Sequence, residues 1–204
     1  MRVFYDCEFL EDYRQIDLIS IGMVRDDGKE FYAVSKEFNT LAVANHNWLM
    51  ENVMTSIAHE EVTSHITGTG QPIKDLIITD PNAMTRREIR AGILAFVADI
   101  WPEFWAWYGA YDHVGLCQLF GPMINLPAGF PMFTNDIKQL VKQTKVTKEE
   151  MPVQPEGKHN ALEDARFNIV RYNFLKEYME LKDLKRITGI LDRAAGLPSK
   201  EESK

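Results

Sequence analysis

Two acidic side chains lie two residues apart near the start of the chain, in the segment FYDCEFLED. If this segment is a β-strand, Asp6 and Glu8 point to one face and Cys7 points to the other, because side chains alternate along a strand. Two carboxylates held side by side repel each other, and burial disfavours both charges. A divalent cation between them would relieve both costs. The alternative is an edge strand with a solvated acidic face, and the pair alone does not decide between the two interpretations.

Three more candidate residues follow in the second half of the chain. Asp112 comes directly after the aromatic segment WAWYGAY, and the carboxyl edge of a strand is a common position for ligand-binding groups in α/β sheets. His159 and Asp164 are five residues apart in GKHNALEDARFN, at the predicted start of a long helix. A neutral histidine is suited to accept a proton near neutral pH. Each residue also has a structural interpretation, as a helix cap or as a first-turn group that complements the helix dipole.

The elements that must position these residues begin with three predicted strands. Residues 3–9, 17–25 and 30–35 are rich in β-branched and aromatic side chains, which favours strands. Asp-Asp-Gly at 26–28 is typical of a hairpin turn. We therefore predict an antiparallel three-stranded meander that carries the first acidic pair on its first strand.

Helical periodicity dominates the second half of the chain. Thr85 and Glu88 have the spacing of a capping box, which predicts a helix that extends to about Ile100. A strand is predicted at 104–108, and further helices are predicted at 111–119, 134–143, 159–181 and 183–195. Three antiparallel strands followed by alternating helices and strands predict an α/β fold with a central mixed β-sheet flanked by helices.

Two parts of the chain lack a clear periodicity. Residues 40–84 contain one predicted short helix, Trp48–Met54, and otherwise mix His, Thr, Gly and Pro. We interpret them as an irregular excursion over the surface of one domain. The polar end of the chain, 197–204, is interpreted as a flexible tail. The predicted organisation is a single domain over residues 1–196.

Composition restricts the class of protein. Of the 204 residues 45% are hydrophobic, which is enough for a packed core, and the net charge is −7. An acidic balance disfavours proteins that coat nucleic acids or membrane surfaces, but it is compatible with carboxylates that hold cations.

No apolar run is long enough for a transmembrane helix, and we recognise no signal sequence, so we expect a cytoplasmic protein. The two cysteines, Cys7 and Cys117, do not make a disulfide framework.

The acids and the histidine occur together in the order that characterises the DEDD exonucleases of the histidine subtype. The sequence resembles this RNase T-like group of the RNase H-like superfamily over roughly residues 1–180, and it is especially similar to the mycobacterial polyadenylate-specific exoribonuclease AS branch. The similarity lies in the segments around the acids, which here are FYDCEFLEDY, LISIGMV, WAWYGAYDH and LCQLFGPM. Many superfamily members have an asparagine a few residues before the third acid, whereas this chain has Gly-Ala-Tyr at 109–111, a form that the AS branch shares.

This resemblance implies a fold, an activity and roles for individual residues. The fold would be that of an RNase H-like exonuclease, and the activity would be 3′-to-5′ hydrolysis of single-stranded RNA to nucleoside 5′-monophosphates. Adenylate-rich 3′ ends are the substrate associated with the AS branch. The four acids would hold two Mg²⁺ or Mn²⁺ ions, hard cations that prefer oxygen ligands. His159 would be the general base, and the metal ligands would be Asp6, Glu8, Asp112 and Asp164.

The sequence offers candidates for contacts to the substrate, each with a structural alternative. Phe9 follows Glu8 and is a candidate for stacking on the terminal base, with a core position as the alternative. Trp105 and Trp107 share one face of their predicted strand, and we expect them to pack in the core. A group of four lysines is expected to form a solvated helix face, with attraction of an RNA backbone as the alternative; they are Lys138, Lys142, Lys145 and Lys148.

Three questions stay open at this stage. The same acids and histidine serve proofreading DNA exonucleases, and the sequence does not identify the contacts to the ribose 2′-hydroxyl that distinguish RNA from DNA. A non-catalytic RNA-binding protein on the same fold is a second alternative, which the presence of all five catalytic-type residues disfavours. The resemblance also implies a homodimer, for which apolar side chains on the long helix would supply surface, namely Tyr172, Phe174 and Tyr178.

Overall fold

A mixed β-sheet forms the centre of the protein in the computed structural model, which describes residues 1–65 and 72–194. Its first three strands are β1 (Arg2–Glu11), β2 (Ile16–Arg25) and β3 (Glu30–Ser35), and each pairs with the next in antiparallel register. The predicted meander is therefore confirmed. Every residue of β2 is buried, because this strand lies inside the sheet and is covered on both faces.

Residues 40–84 contain regular structure, so the prediction of an irregular excursion was wrong. The chain forms helices α1 (Thr40–Ala44) and α2 (Asn47–Asn52) and then the antiparallel pair β4 (His59–His65) and β5 (Pro72–Ile78). The predicted short helix at Trp48–Met54 corresponds to α2. Helix α1 and the strands β4 and β5 were not predicted, because elements of five to seven residues carry little periodicity.

Packing against the sheet stabilises these short elements. A hydrophobic cluster joins Ile19 and Val34 of the sheet to Val43, Leu49 and Leu76 of this segment. Isolated helices of this length are unstable in water, so the buried apolar contacts supply what local propensity does not. The helices α1 and α2 and the strand β5 thus contribute to the hydrophobic core.

The remaining strands extend the sheet on both sides. The next elements are β6 (Ala83–Met84), α3 (Arg86–Phe96), β7 (Glu103–Ala106) and α4 (Ala110–Gln118). β6 is parallel to β3, and β7 is parallel to β1. The predicted capping box at the start of α3 is confirmed, although the helix ends at Phe96 and not near Ile100.

One short strand forms the last edge of the sheet, and a helix follows it directly. β8 (Asn135–Asp136) is parallel to β7 and leads directly into α5 (Ile137–Thr144). Among the described residues the strand order is β6-β3-β2-β1-β7-β8, with an antiparallel centre and parallel outer pairs. The predicted α/β fold with a mixed, helix-flanked sheet is therefore confirmed.

One helix of 34 residues, α6 (Ala161–Ala194), replaces the two helices predicted at 159–181 and 183–195. The side chain of Asn160 accepts hydrogen bonds from the backbone nitrogens of Leu162 and Glu163. These bonds satisfy amide groups that the first helical turn leaves unpaired, so the helix begins after Asn160 and His159 precedes it.

Aromatic side chains of α6 pack against the sheet to different extents. Tyr172 is buried, with its ring centre 5.2 Å from that of Phe4 and 4.7 Å from that of Trp105. Phe174 and Tyr178 pack against the same cluster. The expectation of an open dimer surface was therefore wrong for Tyr172, which the chain itself covers. Phe174 and Tyr178 keep part of their surface exposed, so for them it stays a prediction.

Two other expectations concern the limits of the fold. Among the described residues, no helix combines the length and the apolar character that crossing a membrane requires. The predicted tail at 197–204 lies outside the described residues. The extent of the single domain, residues 1–196, stays a prediction.

Gly22 of β2 determines how closely α6 approaches the sheet. A Cβ atom at this position would lie 2.3 Å from both the carbonyl oxygen of Ala161 and the backbone nitrogen of Leu162. Because backbone atoms cannot rotate away, we expect Gly22→Ala to lower the free energy of unfolding by about 3 kcal/mol, measured by urea denaturation.

Gly115→Ala is a matched control for this prediction. A Cβ on Gly115 of α4 would make an ordinary 3.5 Å contact with Ile16, and alanine favours a helix interior over glycine by about 1 kcal/mol. This variant should be as stable as the original chain or more stable. Equal effects of the two substitutions would contradict the proposed close approach at Gly22.

Candidate active site

The candidate residues from distant parts of the sequence line one cavity of about 460 Å³. β1 supplies two acids, the first turn of α4 supplies one, and the first turn of α6 supplies one together with the histidine that precedes the helix. The fold thus brings together all five residues that the sequence pattern singled out, which are Asp6, Glu8, Asp112, His159 and Asp164.

The first strand and α4 are joined at the site by a buried hydrogen bond. The backbone nitrogen of Cys7 donates to Oδ1 of Asp112 at 2.8 Å. This bond holds the Asp112 carboxyl beside β1, while its position in the first turn of α4 complements the helix dipole. The carboxyl is therefore held in place by two elements.

A bulge in the β1–β2 pairing lies at the site. Glu8 pairs with Ser20 but Phe9 pairs with Leu18, so the register passes over Ile19. Bulges change the direction of side chains beside functional sites, and Glu8 and Phe9 both line the cavity here. Phe9 lies against the exposed ring of Tyr111, with ring centres 6.1 Å apart.

His159 is positioned by backbone geometry and by two neighbours. It has a left-handed conformation with φ of 62°, and its backbone nitrogen donates to Oδ2 of Asp164 at 2.7 Å. Its ring lies edge-on to Trp48 of α2, with ring centres 4.9 Å apart. The segment that sequence reasoning treated as an excursion thus contributes one wall of the cavity.

Burial and mutual repulsion raise the pKa values of the acids. Burial is the largest cause for each, and it raises the pKa of Glu8 to about 8 with help from the charges of Asp164 and Asp112. The pKa of Asp112 rises to about 7, although the hydrogen bond from Cys7 opposes this shift. The pKa of Asp6 is raised well above its usual range by burial and by the other three carboxyls.

These properties fit a site for hard cations. Ligand atoms of Glu8, His159 and Asp164 all lie within 4.8 Å of one another. Within the described part of the chain, no lysine or arginine forms an ion pair with any of the four acids. Arg171 is near enough to lower the pKa of Asp6 and Asp164, but burial still raises both. A cluster of carboxylates without an ion-pair partner among the described residues is the donor set that Mg²⁺ or Mn²⁺ would neutralise.

Sequence reasoning did not find several residues that line the cavity. Arg171 follows Asp164 by seven residues, which is two helical turns, so its position on the same helix face was detectable. Trp48 and Gln154 gave no such signal because they lie on other elements and reach the site only through tertiary packing. The cavity also includes Tyr108 and Trp107 at the end of β7.

Comparison with known proteins agrees with this geometry. Residues 1–174 match the family described as the 3′-5′ exoribonuclease Rv2179c-like domain. The chain belongs to this family. Two members from Mycobacterium tuberculosis are similar to it: the 3′-5′ exoribonuclease Rv2179c of strain ATCC 25618 / H37Rv and the 3′-5′ exoribonuclease MT2234.1 of strain CDC 1551 / Oshkosh. Each is 38% identical to this chain over 175 residues, which cover 86% of the chain and 93% of the relative.

Membership of the Rv2179c-like family confirms the predicted enzyme class, a hydrolase of the 3′-5′ exoribonuclease type. It also confirms the family resemblance found in the sequence, at the level of the Rv2179c-like exoribonucleases. The family match ends within α6, which continues to Ala194. The five acid and histidine positions all lie inside the matched range.

The raised pKa values predict how stability depends on pH when no metal is added. Asp112 and Glu8 have pKa values of about 7 and about 8 in the folded chain, compared with about 4 in the unfolded chain. Between about pH 4 and about pH 8 the folded state therefore binds more protons than the unfolded state. The free energy of unfolding contributed by these groups should fall as the pH rises through this window.

Urea denaturation in EDTA at about pH 5 and about pH 8 measures this effect. Glu8→Gln removes one of the two groups and should reduce the loss of stability between these pH values. Glu11→Gln, on the exposed end of the same strand, is the matched control and should leave the loss unchanged. The predicted linkage would be wrong if Glu8→Gln had the pH dependence of the original chain.

Proposed function

We propose that this protein removes nucleotides from the 3′ end of single-stranded RNA in a reaction that requires divalent metal ions, and that it releases nucleoside 5′-monophosphates. The observation that carries the proposal is the convergence of four carboxyls and one histidine on one open cavity. Membership of the Rv2179c-like exoribonuclease family supports the 3′-to-5′ direction of hydrolysis and RNA as the substrate polymer. A preference for adenylate-rich 3′ ends is part of the proposal and is supported by sequence resemblance alone.

In this proposal the carboxyls of the cavity hold two Mg²⁺ or Mn²⁺ ions. The donor set supports hard cations because it consists of oxygens whose charges have no ion-pair partner among the described residues. When bound, the ions supply Lewis-acid stabilisation of the charge that develops on the phosphodiester. The ligands that we assign are Asp6, Glu8, Asp112 and Asp164.

His159 is the proposed general base. An imidazole nitrogen of His159 takes a proton from the attacking water, whose oxygen forms a bond to phosphorus while the bond from phosphorus to the 3′ oxygen of the preceding nucleotide breaks. That 3′ oxygen leaves as a hydroxyl after it takes a proton from solvent water, and the terminal nucleotide keeps its 5′ phosphate. The position of His159 beside Glu8 and Asp164 and against Trp48 supports this role, because proton transfer requires a base held within hydrogen-bonding reach.

Phe9 is the proposed contact for the terminal base. It is half-buried beside Glu8 and presents an aromatic surface to the same cavity, next to Tyr111. Base stacking on aromatic side chains depends little on base identity. This contact therefore supports binding of a 3′-terminal nucleotide without determining which base is preferred.

The cellular setting and the oligomeric state are further parts of the proposal. Cys7 and Cys117 are buried free thiols, which is compatible with the reducing cytoplasm. A homodimer is proposed from resemblance, and apolar side chains on the later turns of α6 offer surface for it. The exposed residues there are Leu181, Leu184, Ile187 and Ile190. Light scattering of the purified protein tests the dimer.

Addition of Mn²⁺ should stabilise the folded protein. At an ion concentration of about 100 times the dissociation constant, binding to the folded state alone adds about 2.7 kcal/mol, which raises the melting temperature by roughly 5–10 °C for a chain of this size. Thermal denaturation with and without Mn²⁺ measures the shift. Asp164→Asn should reduce the shift strongly, whereas Asp183→Asn, an exposed residue on the same helix, should retain it. An absent shift in the original chain would count against the metal site.

Turnover is tested with matched 5′-labelled RNA and DNA oligonucleotides, with Mg²⁺, Mn²⁺ or EDTA. We expect a ladder that shortens from the 3′ end of RNA and requires metal. Asp6→Asn should lower kcat/KM by at least about 10³-fold, and His159→Ala by about 10²–10⁴-fold, while Asp183→Asn should behave as the original chain. Degradation of DNA alone would replace the proposed substrate with DNA. RNA binding without cleavage would favour a non-catalytic RNA-binding protein.

A further inference from the structure

A second cavity, of about 420 Å³, adjoins the cavity that contains the carboxyls. We call it the adjoining pocket. It lies between the end of β7, the helix α5 and the chain before α6. Five residues line both cavities, so the two share a wall, and these are Trp107, Tyr108, Gln154, Lys158 and Arg171.

The adjoining pocket is positively charged although the chain has a net charge of −7. In the described part of the chain, four cationic side chains line it and no aspartate or glutamate does. Within the described residues, none of the four forms an ion pair. A concentration of cations without counter-ions, next to a carboxyl cluster, is suited to an anionic ligand that spans both cavities. The four cations are Lys138, Lys148, Lys158 and Arg171.

Aromatic and apolar groups form the rest of the pocket. Two cations approach the ring of Trp107: the guanidinium of Arg171 lies 4.5 Å from the ring centre and the ammonium of Lys138 lies 5.0 Å from it. Val141, Val146, Met151 and Pro152 add apolar surface. Cations beside an aromatic and apolar surface match the two halves of a nucleotide, because the phosphate takes the cations and the base takes the apolar surface.

Gln154 supplies an independent indication that a ligand binds here. Its side chain is only 5% exposed, and among the described residues neither amide atom has a partner with hydrogen-bond geometry, although the amide is close enough to the Asp164 carboxyl to lower its pKa. A buried amide without partners costs free energy. It lies in the wall that the two cavities share, where a ligand that spans both would offer it hydrogen-bonding groups.

We propose that the adjoining pocket binds the nucleotide immediately upstream of the one that is removed, with Lys138 and Lys148 directed to the 5′ phosphate of that nucleotide. This inference rests on the proposed function, since it places the terminal nucleotide in the carboxyl cavity. It also separates the four lysines on and near α5 into a pair that lines the pocket and a pair that does not. Lys138 and Lys148 line the pocket, whereas Lys142 and Lys145 do not.

This division supplies a matched pair of variants. Lys138→Glu/Lys148→Glu reverses two charges in the pocket, and Lys142→Glu/Lys145→Glu reverses two charges nearby. Both double variants change the net charge from −7 to −11, since each substitution changes it by two. Any difference between them therefore reflects position and not overall charge, provided that thermal denaturation shows both to be folded.

The probes are the adenylate dinucleotides ApA and pApA, which differ only in the 5′ phosphate of the upstream nucleotide. With Mn²⁺, we expect the original chain and the control variant to hydrolyse pApA with a kcat/KM roughly 20-fold above that of ApA. The pocket variant should lose most of this ratio. For longer 5′-phosphorylated oligoadenylates, kcat/KM of the pocket variant should fall below that of the original chain by the same factor as for pApA, because further phosphates lie beyond the pocket.

Several results would overturn the inference. One is an equal ratio of kcat/KM for pApA to kcat/KM for ApA in the two double variants. Another is a loss of kcat/KM in the pocket variant that grows with every added phosphate, which would indicate general attraction of polyanions. If the original chain cleaves no RNA, the proposed function fails separately. Fluorescence anisotropy with a labelled oligoadenylate in Ca²⁺ then compares binding by the same variants, and equal affinities, or no binding by the original chain, would also overturn the pocket assignment.

Discussion

Mutual repulsion of four carboxyls that the fold holds close together is the constraint on which the site depends. Four acids share this cavity without a lysine or arginine ion pair among the described residues, and the pKa values of Glu8 and Asp112 rise to about 8 and about 7. Carboxyls left to themselves would move apart or into solvent. The surrounding structure must therefore hold them, and much of the architecture serves this purpose.

Three contacts between elements hold the acids together. The backbone of β1 donates to the Asp112 carboxyl of α4, the backbone of His159 donates to the Asp164 carboxyl, and the absence of a side chain at Gly22 lets the start of α6 lie against β2. Two of these contacts join segments that are far apart in sequence, β1 with α4 and β2 with α6. The third, at His159, lies where the chain enters α6. The geometry of the site is thus a property of the packed sheet and helices and not of any one segment.

The distribution of charge explains how an acidic chain can take a polyanion as its substrate. The carboxyl cavity would be neutralised by cations, and the neighbouring pocket carries lysines and an arginine without ion pairs in the described part of the chain. Net charge therefore describes the chain poorly, because the two cavities have opposite local charge and share a wall. Local arrangement, rather than the total, decides which ligands are attracted.

Local patterns predicted the three antiparallel strands of residues 3–35, the strand at 104–108, the order of the acids and the family. Apart from the predicted short helix near Trp48, only the tertiary structure showed that the described parts of residues 40–84 form packed elements, because elements of five to seven residues carry little periodicity. It alone placed Trp48 against His159 and Gln154 in the wall between two cavities. Contacts between distant segments leave no local pattern, so they arise only when the chain is packed.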